Sequence, residues 1–209
     1  MARFPSRRVG ARGSSCGSGL AQNYLKQSLN FAGFTDVGLS SLLAVTKIVN
    51  LSSGNTYQFR TRARDRADNL SAWVTGLRFK LQVIQDHDTS TICYGGVWTA
   101  QPISTIYGGT TRYSTRVNDM ATLTINGTRI AWVATIGPNR GKALVTLDGV
   151  TKTVDLYAST ASQCKVVFLK SGFAEGVTHT LSIKVLLRNG ASASNRVDLD
   201  GIIITQPIR

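Results

Sequence analysis

Apolar and polar positions alternate with a period of two along most of the chain. The stretches "LAVTKIVNL", "TYQFRTRA", "ATLTINGTRIAWVA", "KALVTLDG", "KTVDLY", "KVVFL" and "HTLSIKVLL" all carry this pattern. Successive strand side chains point to opposite faces, so each stretch predicts a strand with one face inward. Turn clusters separate them: "SSGN", "RADN", "YGG", "NGT", "GPNRG", "DGV", "KSG" and "RNGASASN". No long stretch shows an apolar stripe at helical spacing. Short strands between Gly, Asn and Asp turns predict an all-β protein built as a sandwich or barrel.

One stretch, "TYQFRTRARD", shows the alternation most sharply. Tyr57, Phe59, Thr61 and Ala63 share one face; Gln58, Arg60, Arg62 and Arg64 share the other. The apolar face is expected to pack on a second sheet. The arginines are expected on the outer face, their stems covering apolar surface and their charged heads in water. Anion binding by Arg60, Arg62 and Arg64 is a secondary reading.

Charge keeps that secondary reading open. The chain carries 24 Lys and Arg against 11 Asp and Glu, a formal net charge of +13. Such a surface attracts anionic polymers, more weakly as salt rises. No nucleic-acid module is recognisable in the sequence, which ranks nucleic acid last among polyanions. The hydrophobic fraction of 42% excludes wholesale disorder. No apolar run approaches the roughly 18 residues of a membrane-spanning helix. The start, "MARFPSRRVGARGSS", lacks an apolar signal-peptide core. It superficially suits an organelle transit peptide, being rich in Arg and Ser without acids. Cys16, Cys93 and Cys164 are far apart and form no CxxC or Cys/His cluster, so zinc has no support. Cys93 and Cys164 can be read as a pair or as small separate thiols. His179, in an alternating strand, reads as structural.

The segment "LSSGNTYQFRTRARDRADNLSAW" resembles the end of a fibronectin type III domain. The resemblance makes Tyr57 the tyrosine-corner residue, with its hydroxyl bonding to upstream backbone. It makes "ARDRADNLSAW" the hairpin between the last two strands, with Asp68 where glycine is usual. A positive φ there costs less for Asp than for most residues. Upstream, "GSGLAQNYLKQSLNFAGFTDV" resembles the two preceding strands. On that alignment the first strand is missing and the second is damaged by Arg8, Gly10 and Arg12. The chain is then expected to begin inside a module of a longer protein. Residues 1–15 are expected to be poorly ordered, and 16–78 to form an incomplete fibronectin type III sandwich.

After Gly76 the pattern resets. "YGGVWTA", "YGGTTRYST", "GPNRGKALVTLDGVTKTVDLY", "GVTHTLSIKVLL" and "RVDLDGIII" occur in an order that resembles the jelly-roll sandwich of galactose-binding-like, carbohydrate-binding modules. The resemblance covers most of residues 85–205, about eight strands, and places this domain at 79–209. Asp148-Gly149 and Asn126-Gly127 read as hairpin turns requiring positive φ. Pro138 fixes a sharp loop whose tip, Arg140, is either exposed or reaches back to a carboxylate. Asp198 and Asp200 are costly if buried and imply a partner among Arg112, Arg140 and Arg196. A break near Gly201 would reconcile their register.

Sugar recognition needs aromatic faces and a few placed polar groups. The candidates are Arg112, Tyr113, Tyr107, Arg140, Tyr94 and Trp98, with Arg112, Tyr113 and Arg140 ahead of the tryptophans. Trp132, alternating with Ile130, reads as core, and Tyr157 is a further aromatic candidate. Modules of the resembled type often hold structural calcium, but the sparse acids form no dense oxygen-ligand loop, so no metal or other cofactor is expected. A glycosidase needs two positioned carboxylates, and no motif supplies them. GxSxG, HExxH and a phosphate-binding GxxxxGK[ST] loop are missing from the sequence. The expectation is a non-catalytic, extracellular accessory module of a larger secreted bacterial protein, anchoring it to a polysaccharide or cell-wall glycan. A purely structural spacer and a salt-sensitive polyanion binder are the alternatives.

Overall fold

The computed structural model describes residues 18–208. Residues 1–15, expected to be poorly ordered, and Cys16 lie outside the described residues. Every element is a strand, as the alternation predicts. The chain divides into two compact units. The first runs to Leu81 and takes in the end of the chain from Pro207; the second is Gln82–Gln206.

The first unit contains β1 (Leu20–Leu29), β2 (Thr35–Asp36), β3 (Thr56–Asp65), β4 (Val74–Thr75) and the start of β5 (Phe79–Gln85). β3 is central. It pairs with β1 along one edge, Tyr24 facing Arg62 and Lys26 facing Arg60. Its other edge takes β4 at Arg60 and Thr61 and β5 at Thr56 and Tyr57. The Tyr57 hydroxyl accepts from Ser52 N (2.8 Å) and lies 3.2 Å from Ser52 O, to which it donates. Tyr57, Phe59 and Phe79 pack together at centroid spacings of 6.0–6.5 Å. Asp68 adopts φ 63°, so the left-handed conformation at this turn is real and is met by an aspartate. Asp65 supports it, accepting from Ala67 N and Asn69 N, both at 2.9 Å.

Two expectations for this unit need correcting. "LAVTKIVNL" is not a strand; residues 44–50 run without regular structure. Leu43, Val45 and Ile48 are exposed there, Val45 at 76%. Alternation supplies a face but not a neighbour, and this segment pairs with no strand to form a ladder. Accordingly, no second sheet covers the apolar side of β1 and β3 among the described residues of this unit, and Thr61 is exposed.

The second unit is a sandwich. One sheet has the order β12 (Val150–Asp155), β11 (Lys142–Leu147), β14 (Thr178–Val185), β9 (Met120–Asn126), β6 (Ile92–Gly95). The facing sheet holds β13 (Ser162–Ser171), β10 (Arg129–Ile136), β16 (Gly201–Pro207) and the end of β5. A third, three-stranded sheet has the order β15 (Val197–Leu199), β8 (Thr110–Ser114), β7 (Thr99–Pro102). These are more strands than the eight or so expected; "YGGVWTA" and "RVDLDGIII" each run across two of them. Leu123, Val145, Leu181 and Ile183 from one sheet and Ile130, Trp132, Ile202 and Ile204 from the other form one core cluster. Trp132 is fully buried, a core residue as its alternation with Ile130 implied.

The two Asx-Gly signals behave differently. Asp148 (φ 50°) and Gly149 (φ 81°) both take positive φ and close the β11–β12 hairpin. Asn126 and Gly127 do not, and they make no hairpin. β9 and β10 belong to opposite sheets, so "NGT" is the crossing between layers. Glycine is required there by space: a Cβ on Gly127 would lie 2.3 Å from Ile204 Cγ2 and 3.1 Å from Thr205 O. Cys93 and Cys164 are both free thiols, Cys93 exposed, so the pairing reading is excluded.

Candidate functional site

The chain changes sheet at Asp200. Val197–Leu199 pairs with β8, while Gly201–Pro207 pairs with β10. Gly201 permits the switch, since a Cβ there would meet Ile84 O at 2.9 Å. This break resolves the irregular register of "VDLDGIII" and drives both acids inward: Asp198 is wholly buried and Asp200 nearly so.

Asp198 finds its partners in Arg140 and Arg196. Arg140 Nε pairs with Asp198 Oδ2; Arg196 Nε (2.8 Å) and Nη2 (2.6 Å) pair with Oδ1. Arg196 also donates to Gln101 Oε1 (2.5 Å) and lies over the Tyr113 ring at 3.8 Å. Arg140 is therefore buried and committed to the fold. Burial pulls its basicity down, and Asp198 opposes that shift. One face of Tyr113 is likewise occupied. The role of Arg196 under Tyr113 was not among the sequence candidates; its proximity in sequence to Asp198 was the one signal that pointed to it.

Asp200 finds no arginine. Burial pushes its carboxyl up to about 6; the neighbouring Thr111 hydroxyl and Arg140 offset part of the rise, and Asp198 and Asp86 add to it. Thr111 sits beside it but donates its hydroxyl to Leu199 O (3.1 Å). Asp86 is wholly buried too, with Oδ1 accepting from Thr110 Oγ1 (2.8 Å). Asp86 Oδ2 and both Asp200 oxygens are buried without a hydrogen-bond donor. Orphaned carboxylate oxygens fit a hard, oxygen-seeking cation better than they fit a dry interior. Calcium held there by Asp86 and Asp200, with carbonyls and water completing the shell, would supply the missing positive charge. Among the described residues no group of three or more His, Cys, Asp or Glu forms a metal cluster.

Three of the other sugar-site candidates come together. Tyr94 on β6 and Trp98, at the end of the Gly95–Gly96 turn, have ring centroids 5.3 Å apart. The Arg112 guanidinium on β8 lies over the Tyr94 ring at 5.1 Å. The turn is fixed from below: Asp119 Oδ2 accepts from Val97 N (2.8 Å) and Ser114 Oγ (2.7 Å). Tyr94 donates to Asp86 O (2.7 Å) and Trp98 Nε1 donates to Gly95 O (3.3 Å), which locks both rings. Burial raises the Tyr94 phenol well above its ordinary range, with Asp86 adding to the rise, so it remains a hydrogen-bond donor. Tyr107 stands apart on the 103–109 loop and is exposed at 58%. Tyr157 is half-buried and bridges to Gly137. His179 is structural: Nδ1 donates to Asp148 Oδ2 (2.6 Å), and its ring packs on Phe173 at 4.2 Å.

On the first unit, the arginines of β3 lie on the side of the strand opposite Tyr57 and Phe59, but their heads are not simply wet. Arg60 lies over Phe34 (4.1 Å) and Trp73 (4.4 Å); Arg62 lies over Trp73 (4.5 Å) and Tyr24 (5.1 Å). Arg64 pairs with Asp68 (3.2 Å) and with Gln22 (3.1 Å).

No family model matches the chain, and no curated protein matches it. Among solved structures, the chain is similar to a two-domain esterase active on acetylated mannans, at 17% identity and TM-score 0.45. That match covers 61% of this chain and 37% of the esterase, so the chain spans little more than a third of it. It is similar to the carbohydrate-binding module CBM36 in complex with calcium and xylotriose, at 12% identity and TM-score 0.36, covering 60% of this chain and 99% of that one. It is also similar to an exo-β-1,3-galactanase from Phanerochaete chrysosporium, at 14% identity and TM-score 0.41, covering 71% and 40%.

Proposed function

We propose that residues 82–206 are a non-catalytic carbohydrate-binding module, and that Tyr94, Trp98 and Arg112 form its sugar-contacting surface. The observation that carries this reading is the locked Tyr94–Trp98 pair with Arg112 beside it. Two half-buried rings offer apolar area, and a guanidinium without a carboxylate partner in contact offers planar donors for hydroxyls. Neither Arg140 nor Tyr113 is the centre of this reading, because the Asp198 network engages both. Residues 18–81 are read as part of a fibronectin type III sandwich; the Tyr57–Ser52 pairing and the Asp68 turn support that. In this reading the chain works outside the cell and holds a larger protein on a polysaccharide.

Affinity electrophoresis of the whole chain against neutral plant and cell-wall polysaccharides tests it. Retention that Arg112→Ala and Trp98→Ala each weaken about tenfold is expected. No retention on any glycan, with the fold intact by circular dichroism, would leave the structural-spacer reading in its place. So would retention that both variants preserve.

A further inference from the structure

The outer face of β3 holds cations that the first unit does not neutralise. Arg60 and Arg62 are half-buried, and each Nε is buried without a hydrogen-bond partner. Among the described residues no carboxylate pairs with either, whereas Lys26 has Asp36 and Arg64 has Asp68. Their contacts run in series: Phe34, Arg60, Trp73, Arg62, Tyr24. Both guanidiniums lie within about 4.5 Å of the one indole, and the Lys26 ammonium lies over it at 5.9 Å, so Trp73 is the shared ring of the cluster. β4 puts Trp73 between them, since Thr75 pairs with Arg60 and Val74 with Thr61.

This stacking decides what the surface can take. Each guanidinium lies against two rings, Arg60 against Phe34 and Trp73 and Arg62 against Trp73 and Tyr24. With each Nε buried and each side chain only half-buried, the terminal Nη nitrogens are the edge left for a ligand, and these suit the bidentate geometry of carboxylate or sulfate oxygens. Holding the side chains between rings removes rotamer freedom before any ligand arrives. Alternate residues of a strand repeat at about 7 Å, so the edges form a row rather than one pocket. A single-stranded nucleic acid would need aromatic faces for its bases, and guanidiniums already lie over Phe34, Trp73 and Tyr24.

We propose that this row binds an acidic polysaccharide, one with repeated carboxylate or sulfate groups, through the edges of Arg60 and Arg62. The site is separate from the Tyr94–Trp98–Arg112 surface and stands or falls independently of it.

The test uses the whole chain with polygalacturonate and dextran sulfate as probes, and with neutral dextran and a single-stranded oligonucleotide as comparators. Binding to the two acidic polymers, weakened by salt and lowered about tenfold or more in R60Q/R62Q, is expected. The variant K152Q/K170Q loses the same charge from exposed positions and should change binding less than about twofold. W73L, with its fold checked by circular dichroism, should weaken binding while leaving net charge untouched. Equal loss in the two double variants would overturn the proposal, because net charge alone would explain the binding. So would tighter binding of the oligonucleotide than of both polysaccharides, or no binding of either acidic polymer at about 0.15 M salt.

Discussion

Asp148 combines a backbone demand with a charge. It occupies a φ of 50° at the start of its turn, a conformation Asp and Asn tolerate better than most residues. Its carboxylate accepts from His179 and from Thr180 N (2.9 Å). The His179 hydrogen bond, then that from Thr180, hold its pKa below the ordinary aspartate range. A depressed folded pKa means that the unfolded chain binds the proton more tightly. The resulting stability is present above the unfolded value, about 4, and drains away as pH falls through the folded one. Asp148→Asn keeps the turn conformation but removes the titration. Urea unfolding should show a flatter acid limb for the variant below about pH 4, and an unchanged limb would refute this role. The turn was legible in the sequence because "DG" is a local signal. The His179 contact was not, because 31 residues separate the partners.

At the level of elements, the passage from β15 to β16 organises the buried charge. A three-residue strand ends at Leu199, one residue turns the corner, and the chain enters the opposite layer at Gly201. The corner needs Asp198 inside, and Arg140 and Arg196 enter with it. Removing the shared carboxylate leaves the buried Arg140 and the half-buried Arg196 without their anion. Asp198→Ala should therefore destabilise the second unit by about 3–5 kcal/mol, read from denaturant midpoints. A loss under about 1 kcal/mol would show that the network is solvated rather than buried. The sequence narrowed the partner to three arginines, and only packing chose two of them. Element-level misreadings have the same origin. "LAVTKIVNL" alternates like a strand yet has no ladder partner, and "NGT" looks like a hairpin yet links two layers. Both depend on where distant strands lie.

For the whole molecule, the second unit carries an unbalanced interior around Asp86 and Asp200 within a chain of net charge +13. A divalent cation that seeks oxygen would balance it and bind only the folded state. About 1 mM calcium should raise the midpoint of thermal unfolding by roughly 4 °C, and a chelator should reverse the shift. Asp200→Asn should abolish the response and leave the variant folded. A midpoint insensitive to calcium in the wild-type chain would exclude the ion.

Period-two alternation, read from the sequence alone, determined the all-β class, which side of β3 carries Tyr57, and the core position of Trp132. Strand geometry fixes side-chain direction residue by residue, so these features need no knowledge of neighbours. Tertiary structure decided which strands had partners and which arginines met carboxylates or rings. It also brought Arg112 of β8 against Tyr94 and Trp98, which flank one turn after β6. Those outcomes depend on contacts between residues distant in the chain, and a one-dimensional pattern records the face of a strand but not what comes to lie against it.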